Sequence, residues 1–260
     1  MRIAVFSDVH GNLTALEAVL ADIAQRRPDA TCFAGDLCLF GARPAETLRR
    51  LAHESHILSV SGNADIDLLE ATLGASEHVA DDDFQRSSAR WAAARLSGDD
   101  VRFLDAMTFS QRLSPTGSSH DDLVVCHANP TDHHTFIAPA EDEQRERLGK
   151  VVLPHDEAQI DRLLDGVQAG AVAFGHFHFP NTQRAGDTLL VNASSVSNPM
   201  DLDPRAKYAL LEWSSESLTW SATVIRVPYD RTAEHDALER HRPPNWQLLA
   251  RILDGELYLG

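Results

Sequence analysis

The chain has 260 residues, 43% hydrophobic and 24% charged, the balance of an ordinary soluble globular protein with one large or two small domains. A formal charge of −16 and a pI of about 5.1 repel a polyanion at long range. Long nucleic acid is therefore excluded as a main partner, while a small phosphorylated compound beside metal ions is not.

Three cysteines (Cys32, Cys38, Cys126) do not make a disulfide framework, and they read as buried core residues. No apolar run approaches the roughly 18 residues that span a bilayer. Met1-Arg2 leads directly into a strand without a signal-peptide pattern, so the expectation is a cytoplasmic protein with no membrane contact.

Residues 2–7, RIAVFS, form a short Val/Ile-containing run that reads as a buried strand. A helical stripe follows at Leu13, Leu16, Leu20 and Ile23, with Asn12 placed to cap it. ATCFAGDL (30–37) predicts a second strand, PAETLRRLAHE (44–54) a helix with Pro44 in its first turn, and HILSVSGN (56–63) a third strand. This βαβαβ order implies parallel pairing with right-handed crossovers.

Residues 66–110 read as a helical insert, with DLLEATL, FQRSSARWAAARL and DDVRFLDAM as its helices. The acidic run Asp81-Asp82-Asp83 reads as a solvated loop or helix start. DLVVCH (122–127) and GAVAFGH (170–176) are two more apolar strands of the presumed parallel sheet, separated by a helix at 156–167. TLLVNAS, KYALLEW and LTWSATVIRVPY are later strands, the last with the alternation of a half-exposed antiparallel strand. A charged extension from 231 to 260 contains a closing helix near WQLLARIL. Residues 1–260 thus read as one α/β domain with two sheet regions.

The ends of the apolar strands share a property. They stop at Asp8 and His10, at Asp36, at Asn63 and Asp65, at His127, and at His176 and His178. Ligands of open α/β sheets bind just beyond the carboxyl ends of the strands, so these side chains converge if the strands lie together. Two such carboxylates held close would repel until one took up a proton, or until a divalent cation removed the penalty. Imidazole, carboxylate and amide oxygen together suit Mn2+, Fe, Zn2+, Ni2+ or Co2+ better than Ca2+, and the donors are enough for two ions.

Asp8-Val-His10, Gly35-Asp36, Gly62-Asn63, His127 and Gly175-His176-Phe177-His178, in this order, resemble the signature of the calcineurin-like metallophosphoesterases. LVNASSVSNPMDLDPRAKYALLE resembles the strand-loop-strand that follows the last motif in small prokaryotic members. The resemblance implies a four-layer αββα sandwich of two mixed sheets. It also implies that Asp8, His10 and His178 hold one ion, that Asn63, His127 and His176 hold the other, and that Asp36 bridges them. Two such ions, with Mn2+ the first expectation, activate water and clamp a phosphoryl group for in-line attack. The expected activity is hydrolysis of a small phosphodiester or phosphomonoester. Alternatives are a protein Ser/Thr phosphatase, a dinucleoside polyphosphate hydrolase or, on the same fold, an inactive binding module. Oligomerisation is compatible with the sequence.

Many family members place a proton-donating histidine directly after Gly-Asn, whereas this chain reads Gly62-Asn63-Ala64-Asp65. His133, His134 or metal-bound water are the candidates to replace that acid, although both histidines sit in a polar loop and read more readily as solvated side chains; His134 and Asn12, beside Asn63, are candidate substrate contacts. Asp36 and Asn63 complete the catalytic candidates. Asp65 reads equally as a support for a ligand or as a helix cap. Asn192, Ser194 and Ser195 read as loop-satisfying groups more than as substrate contacts, and Arg43 as a solvated side chain more than as a phosphate partner. A nucleotide substrate would need an aromatic platform, for which Phe40, Phe136 and Phe177 are the candidates.

Overall fold

Alternation along the strands sets the architecture. In β1 (Arg2–Phe6), Ile3 and Val5 enter one apolar cluster while Ala4 and Phe6 enter another, as the two-residue period of a strand requires. The computed structural model describes residues 1–74 and 83–255. β2 (Ala30–Ala34) and β3 (Leu58–Val60) run parallel to β1. β9 (Ala206–Ser214) pairs antiparallel with β1 and β10 (Thr219–Val227) antiparallel with β9, which gives the order β10-β9-β1-β2-β3.

The second sheet contains β4 (Ser110–Leu113), β5 (Leu123–Cys126), β6 (Ala171–Phe174), β7 (Asn181–Ala185) and β8 (Thr188–Asn192), in the order β4-β5-β6-β8-β7. Its three central strands, β5, β6 and β8, are parallel, and both edges are antiparallel. The strands expected to share one parallel sheet are therefore divided between two mixed sheets stacked face to face. Ile3, Val5 and Ala34 meet Val125, Ala173 and Val191 between the sheets.

Helices cover both outer faces. α1 (Leu13–Arg26) and α2 (Pro44–Ala52) bury Leu16, Val19 and Leu48 against Phe6 and Phe33. α7 (Glu157–Leu164) buries Ile160 and Leu163 against Val172 and Phe174. The result is the αββα sandwich that the resemblance implied. α3 (Asn63–Thr72), α4 (Asp83–Ala93) and α5 (Gly98–Asp105) form the insert, and β4 starts at its expected end. Asp83 opens α4, while Asp81 and Asp82 lie outside the described residues.

Several boundaries move for physical reasons. β1 ends at Phe6 and β2 at Ala34, because Asp8 and Asp36 adopt left-handed backbone angles that leave the ladder. The edge strands β4 and β7 carry the polar sequences SQRL and NTQRA, which give no apolar alternation. α6 (Glu141–Leu148) and α8 (Arg231–His241) are likewise mostly charged, so neither shows a continuous apolar stripe. The predicted closing helix is α9 (Trp246–Leu253).

α8 packs on α1 through a buried ion pair. Arg43 Nη2 bonds Glu234, whose side chain is 2% exposed, and also donates to Thr14 Oγ1 at 2.6 Å. Arg43 is therefore neither a solvated side chain nor a phosphate contact. Removing one partner of a buried pair strands the other charge, at a cost of about 3–5 kcal/mol. Thr14 Oγ1 still donates to Glu234 at 2.8 Å, so Arg43→Ala should sit at the lower end of that range, about 3 kcal/mol. Urea unfolding should show the midpoint fall with little change in slope, and Arg43→Ala with Glu234→Gln should recover part of the loss.

Candidate metal centre

The loops after five parallel strands, three in the first sheet and two in the second, meet at one end of the sandwich. Five of their site residues have positive φ: Asp8 (57°), His10 (48°), Asp36 (64°), His176 (63°) and His178 (56°). Asp and His tolerate this region better than most residues, yet each such conformation costs about 1–3 kcal/mol and persists only where the surroundings enforce it. Two glycines make room for the crowding. A Cβ at Gly62 would lie 2.1 Å from Asp36 Oδ1, and one at Gly175 would lie 2.2 Å from Asp8 Oδ2.

The donor atoms fall into two clusters, Asp8–His10–His178 and Asp36–His127–His176. In the first, His178 Nε2 is 3.0 Å from Asp8 Oδ1 and 3.2 Å from His10 Nε2. In the second, His127 Nε2 lies 3.1 Å from His176 Nδ1, 3.0 Å from Asn63 Oδ1 and 3.4 Å from Asp36 Oδ1. Asp36 Oδ2 also reaches within 3.9 Å of His10 Nε2, so this carboxylate touches both clusters. All seven residues expected as ligands are thus brought together.

The sequence model of the calcineurin-like phosphoesterase superfamily domain matches residues 1–216. The chain belongs to this family. An uncharacterised protein of Methanocaldococcus jannaschii is 26% identical over 274 residues, covering 99% of this chain and 98% of that protein. The crystal structure of a metallophosphoesterase from Sphaerobacter thermophilus superposes with a TM-score of 0.73 at 22% identity, over 98% of this chain and 99% of that one. A hypothetical protein from Pyrococcus horikoshii OT3 superposes with a TM-score of 0.75 at 15% identity, over 97% of both chains. These likenesses establish the calcineurin-like phosphoesterase fold.

The donor set fits divalent ions for a reason visible in its outer hydrogen bonds. Each imidazole has its outward nitrogen beside a backbone carbonyl: His10 with Leu39, His127 with Ala34, His178 with Asn198 and His176 with His134, at 2.8–3.1 Å. Donation to a carbonyl fixes the tautomer and turns a lone pair inward. Two inward lone pairs 3.1–3.2 Å apart repel unless a proton or a metal lies between them. Donor separations near 3 Å are those of neighbouring ligands with bonds of about 2.1 Å to one ion.

Without metal, the cluster balances its charge on the rings. Burial opposes charge on His127, but Asp36 outweighs it and pushes that imidazole up to about 9. Burial, then His127, lowers His176 to about 4. In the other cluster, burial and then His178 lower His10, while Asp8 outweighs burial and raises His178. Burial alone would raise Asp36 and Asp8, but the nearby histidines hold both below the ordinary carboxylate range. Both carboxylates thus favour the ionised form, and in each histidine pair one ring, His127 or His178, has the raised affinity for a proton.

Supporting groups surround this shell. Asp65 Oδ2 accepts from the backbone N–H of Asp36 (2.8 Å) and Gly62 (2.9 Å), and Oδ1 accepts from Leu37 N–H (2.8 Å). It holds the two ligand loops together and also caps α3. Asn192 donates to Gly175 O, Ser194 to His178 O and Ser195 to Asp8 O, each at 2.8 Å. Asn12 caps α1 and donates to Ser197 Oγ and Tyr229 OH, so its amide is engaged inside the protein. His133 Nε2 sits 3.2 Å from Ser61 Oγ in a half-buried position, and His134 contributes its carbonyl to His176. Cys38 donates to Pro44 O, and burial raises its thiol well above normal, so it behaves as core.

A cleft of about 270 Å³ opens over His10, Asp36, Asn63, His176 and His178. Phe40 lines it, Phe136 stacks on His176 with centroids 4.2 Å apart, and Phe177 is buried beside Phe179. A larger groove of about 550 Å³, bounded by α1 and β3, shares no residue with the centre.

The sign of the pH dependence follows from the rings. A group whose folded value is raised stabilises the fold fully below its ordinary pKa of about 6.5 and loses that contribution as pH rises through its folded value. Chelated protein should therefore lose thermal stability between about pH 6.5, the ordinary imidazole value, and about 9, the value of His127. Added divalent metal competes with the same protons, so its stabilisation should grow over that window. Melting temperatures with EDTA and with Mn2+ should diverge as pH rises; parallel curves would contradict the site.

Proposed function

We propose that this family member is a dinuclear metal-dependent phosphoesterase that hydrolyses a small phosphodiester or phosphomonoester. The observation that carries this reading is the complete donor set, with the Asp36 carboxylate touching both histidine clusters. Members of the fold that serve only as binding modules would not require all seven donors.

Two divalent ions, when bound, supply water activation at neutral pH and neutralise the phosphoryl oxygens. Asp36 is the bridging carboxylate in this reading. Asp8, His10 and His178 hold one ion, and Asn63, His127 and His176 the other. The mixed oxygen and imidazole set favours Mn2+, with Fe, Zn2+, Ni2+ or Co2+ also suited. Asn63, on the first turn of α3, borders the cleft and in this reading would touch a phosphoryl oxygen.

The protein supplemented with Mn2+ should hydrolyse bis-nitrophenyl phosphate or nitrophenyl phosphate. Asp36→Asn should cut the rate by more than about 100-fold, since groups that merely orient ligands already give 10–100-fold losses. Equal rates would overturn the assignment.

Ala64 occupies the position of the familiar proton donor and is 1% exposed. His133 is the proposed substitute. Its imidazole is near enough to the centre for His127 and Asp36 to influence it, and burial lowers its pKa. General acid help is worth about 10²–10⁴-fold. His133→Ala should therefore slow alkyl phosphate esters by about 100-fold and leave nitrophenyl esters, whose leaving group needs no proton, almost unchanged. A loss independent of leaving group would assign His133 a positioning role instead.

A further inference from the structure

We infer that the cleft beside the candidate centre is built for a phosphoester carrying a single phosphate and an apolar, ring-sized alcohol, and that the C-terminal helix α9 supplies one wall of the pocket for that alcohol. The inference rests on the phosphoesterase reading and adds the substrate class.

The cleft has two chemically distinct sides. One is the polar cluster of His10, Asp36, Asn63, His176 and His178. The other consists of Phe40, Phe84, Pro199, Met200, Leu249 and Ile252, with Asn198 at the boundary between the two. Phe84 comes from α4 of the insert, and Leu249 and Ile252 come from α9. These residues are not an accidental patch. Phe40 and Phe84 pack at 5.2 Å between ring centroids, and both join a cluster with Ala42, Leu238, Leu249 and Leu253. The wall is thus braced by α8 and α9, both beyond residues 1–216, which the family's sequence model matches. A volume of about 270 Å³ lies just below the usual 300–1,000 Å³ of small-molecule pockets, so it suits one ring system and not an extended chain.

Charge narrows the class further. No lysine or arginine is among the described residues that line the cleft. The two stretches outside the described residues, 75–82 and 256–260, contain neither residue type. Nearby cations are committed elsewhere, Arg43 to Glu234 and Arg147, Lys207 and Arg226 to Asp201. A phosphoryl group over the centre has the ions to neutralise it. A second phosphate in the apolar half would be desolvated beside Leu249 and Phe84 with no lysine or arginine among the described lining residues to pair with it, which is costly. Polyphosphates are therefore disfavoured and a single phosphate on an apolar alcohol is favoured.

The test uses non-hydrolysable probes, so turnover is not the readout. Titration calorimetry of the Mn2+-supplemented full chain with phenylphosphonate and methylphosphonate compares the same anion with and without a ring. The expected preference for phenylphosphonate is at least about tenfold, the factor that corresponds to about 1.4 kcal/mol. Leu249→Ala with Ile252→Ala should reduce that ratio to below about threefold, a difference of about 0.7 kcal/mol. Phe84→Ala, at a less buried position, provides a second variant if α9 undocks. Equal affinities in the unmodified protein, or a ratio that neither variant moves, overturn the pocket and leave the phosphoesterase reading standing. If neither phosphonate binds while 2-naphthol does, and the variants weaken naphthol, the pocket stands and the phosphoesterase reading falls.

Discussion

The constraint on which the rest depends is the donation of each site imidazole's outer N–H to a backbone carbonyl. Ala34 at the end of β2, Leu39 in the loop after it, His134 in the loop after β5 and Asn198 in the loop after β8 supply those carbonyls. Once the four rings are held this way, their lone pairs must face one another across about 3 Å. Such an arrangement is unfavourable for the bare protein unless one ring of each pair takes up a proton, a tendency that His127 and His178 show by their raised proton affinity. The site therefore stores a demand for cations in its geometry, and the same carbonyls prevent the rings from rotating away.

That demand is sustained by the sandwich. One cluster draws Asp8 and His10 from the first sheet and His178 from the second. The other draws Asp36 from the first sheet and His127 and His176 from the second. Neither half-site could form from one sheet alone. The packing of Ile3, Val5 and Ala34 on Val125, Ala173 and Val191 fixes the relation between the two sets of strand ends. Cross-loop hydrogen bonds then lock the last ångström: His176 N–H to Asp8 Oδ2 at 3.0 Å, Ala64 N–H to Asp36 Oδ1 at 2.9 Å and the three donors to Asp65. The positive-φ conformations of five ligands are affordable only because this network and the sheets beneath over-determine them.

The donor residues were legible in the sequence because a polar side chain at the end of an apolar run is conspicuous. Asp8, Asp36, His127 and His176 each stand out in that way, and their order carried the family resemblance. The family resemblance implied two mixed sheets, but which strand belongs to which sheet was not legible in the residues, because a buried parallel strand gives the same short apolar run in either sheet. β4, β7, α6 and α8 escaped for the opposite reason: they lie at edges or on the surface, where burial imposes little pattern. The orienting carbonyls belong to the main chain and have no residue signature. Phe84, Leu249 and Ile252 resembled ordinary helix-core positions, since an apolar side chain facing a cleft and one facing a core look alike until the helices are placed.

The loop from Ala193 to Arg205 shows how an acidic chain can keep cations near its centre without placing them in it. Asp201 Oδ1 holds Lys207 at 2.8 Å, and its Oδ2 faces Arg147 and Arg226, each at 3.4 Å. Lys207 is fully buried and also donates to the carbonyls of Asp203 and Arg205. Three positive charges converge on one carboxylate, which pins the loop that carries Asn198, Pro199 and Met200 to the edge of the cleft. Asn198 orients His178 from one side of that loop, while Pro199 and Met200 form apolar wall on the other. Rigidity at Asp201 therefore serves both halves of the cleft at once. It fixes the angle of a donor ring and holds cationic side chains away from a surface whose only compensation for a bound anion would come from the ions.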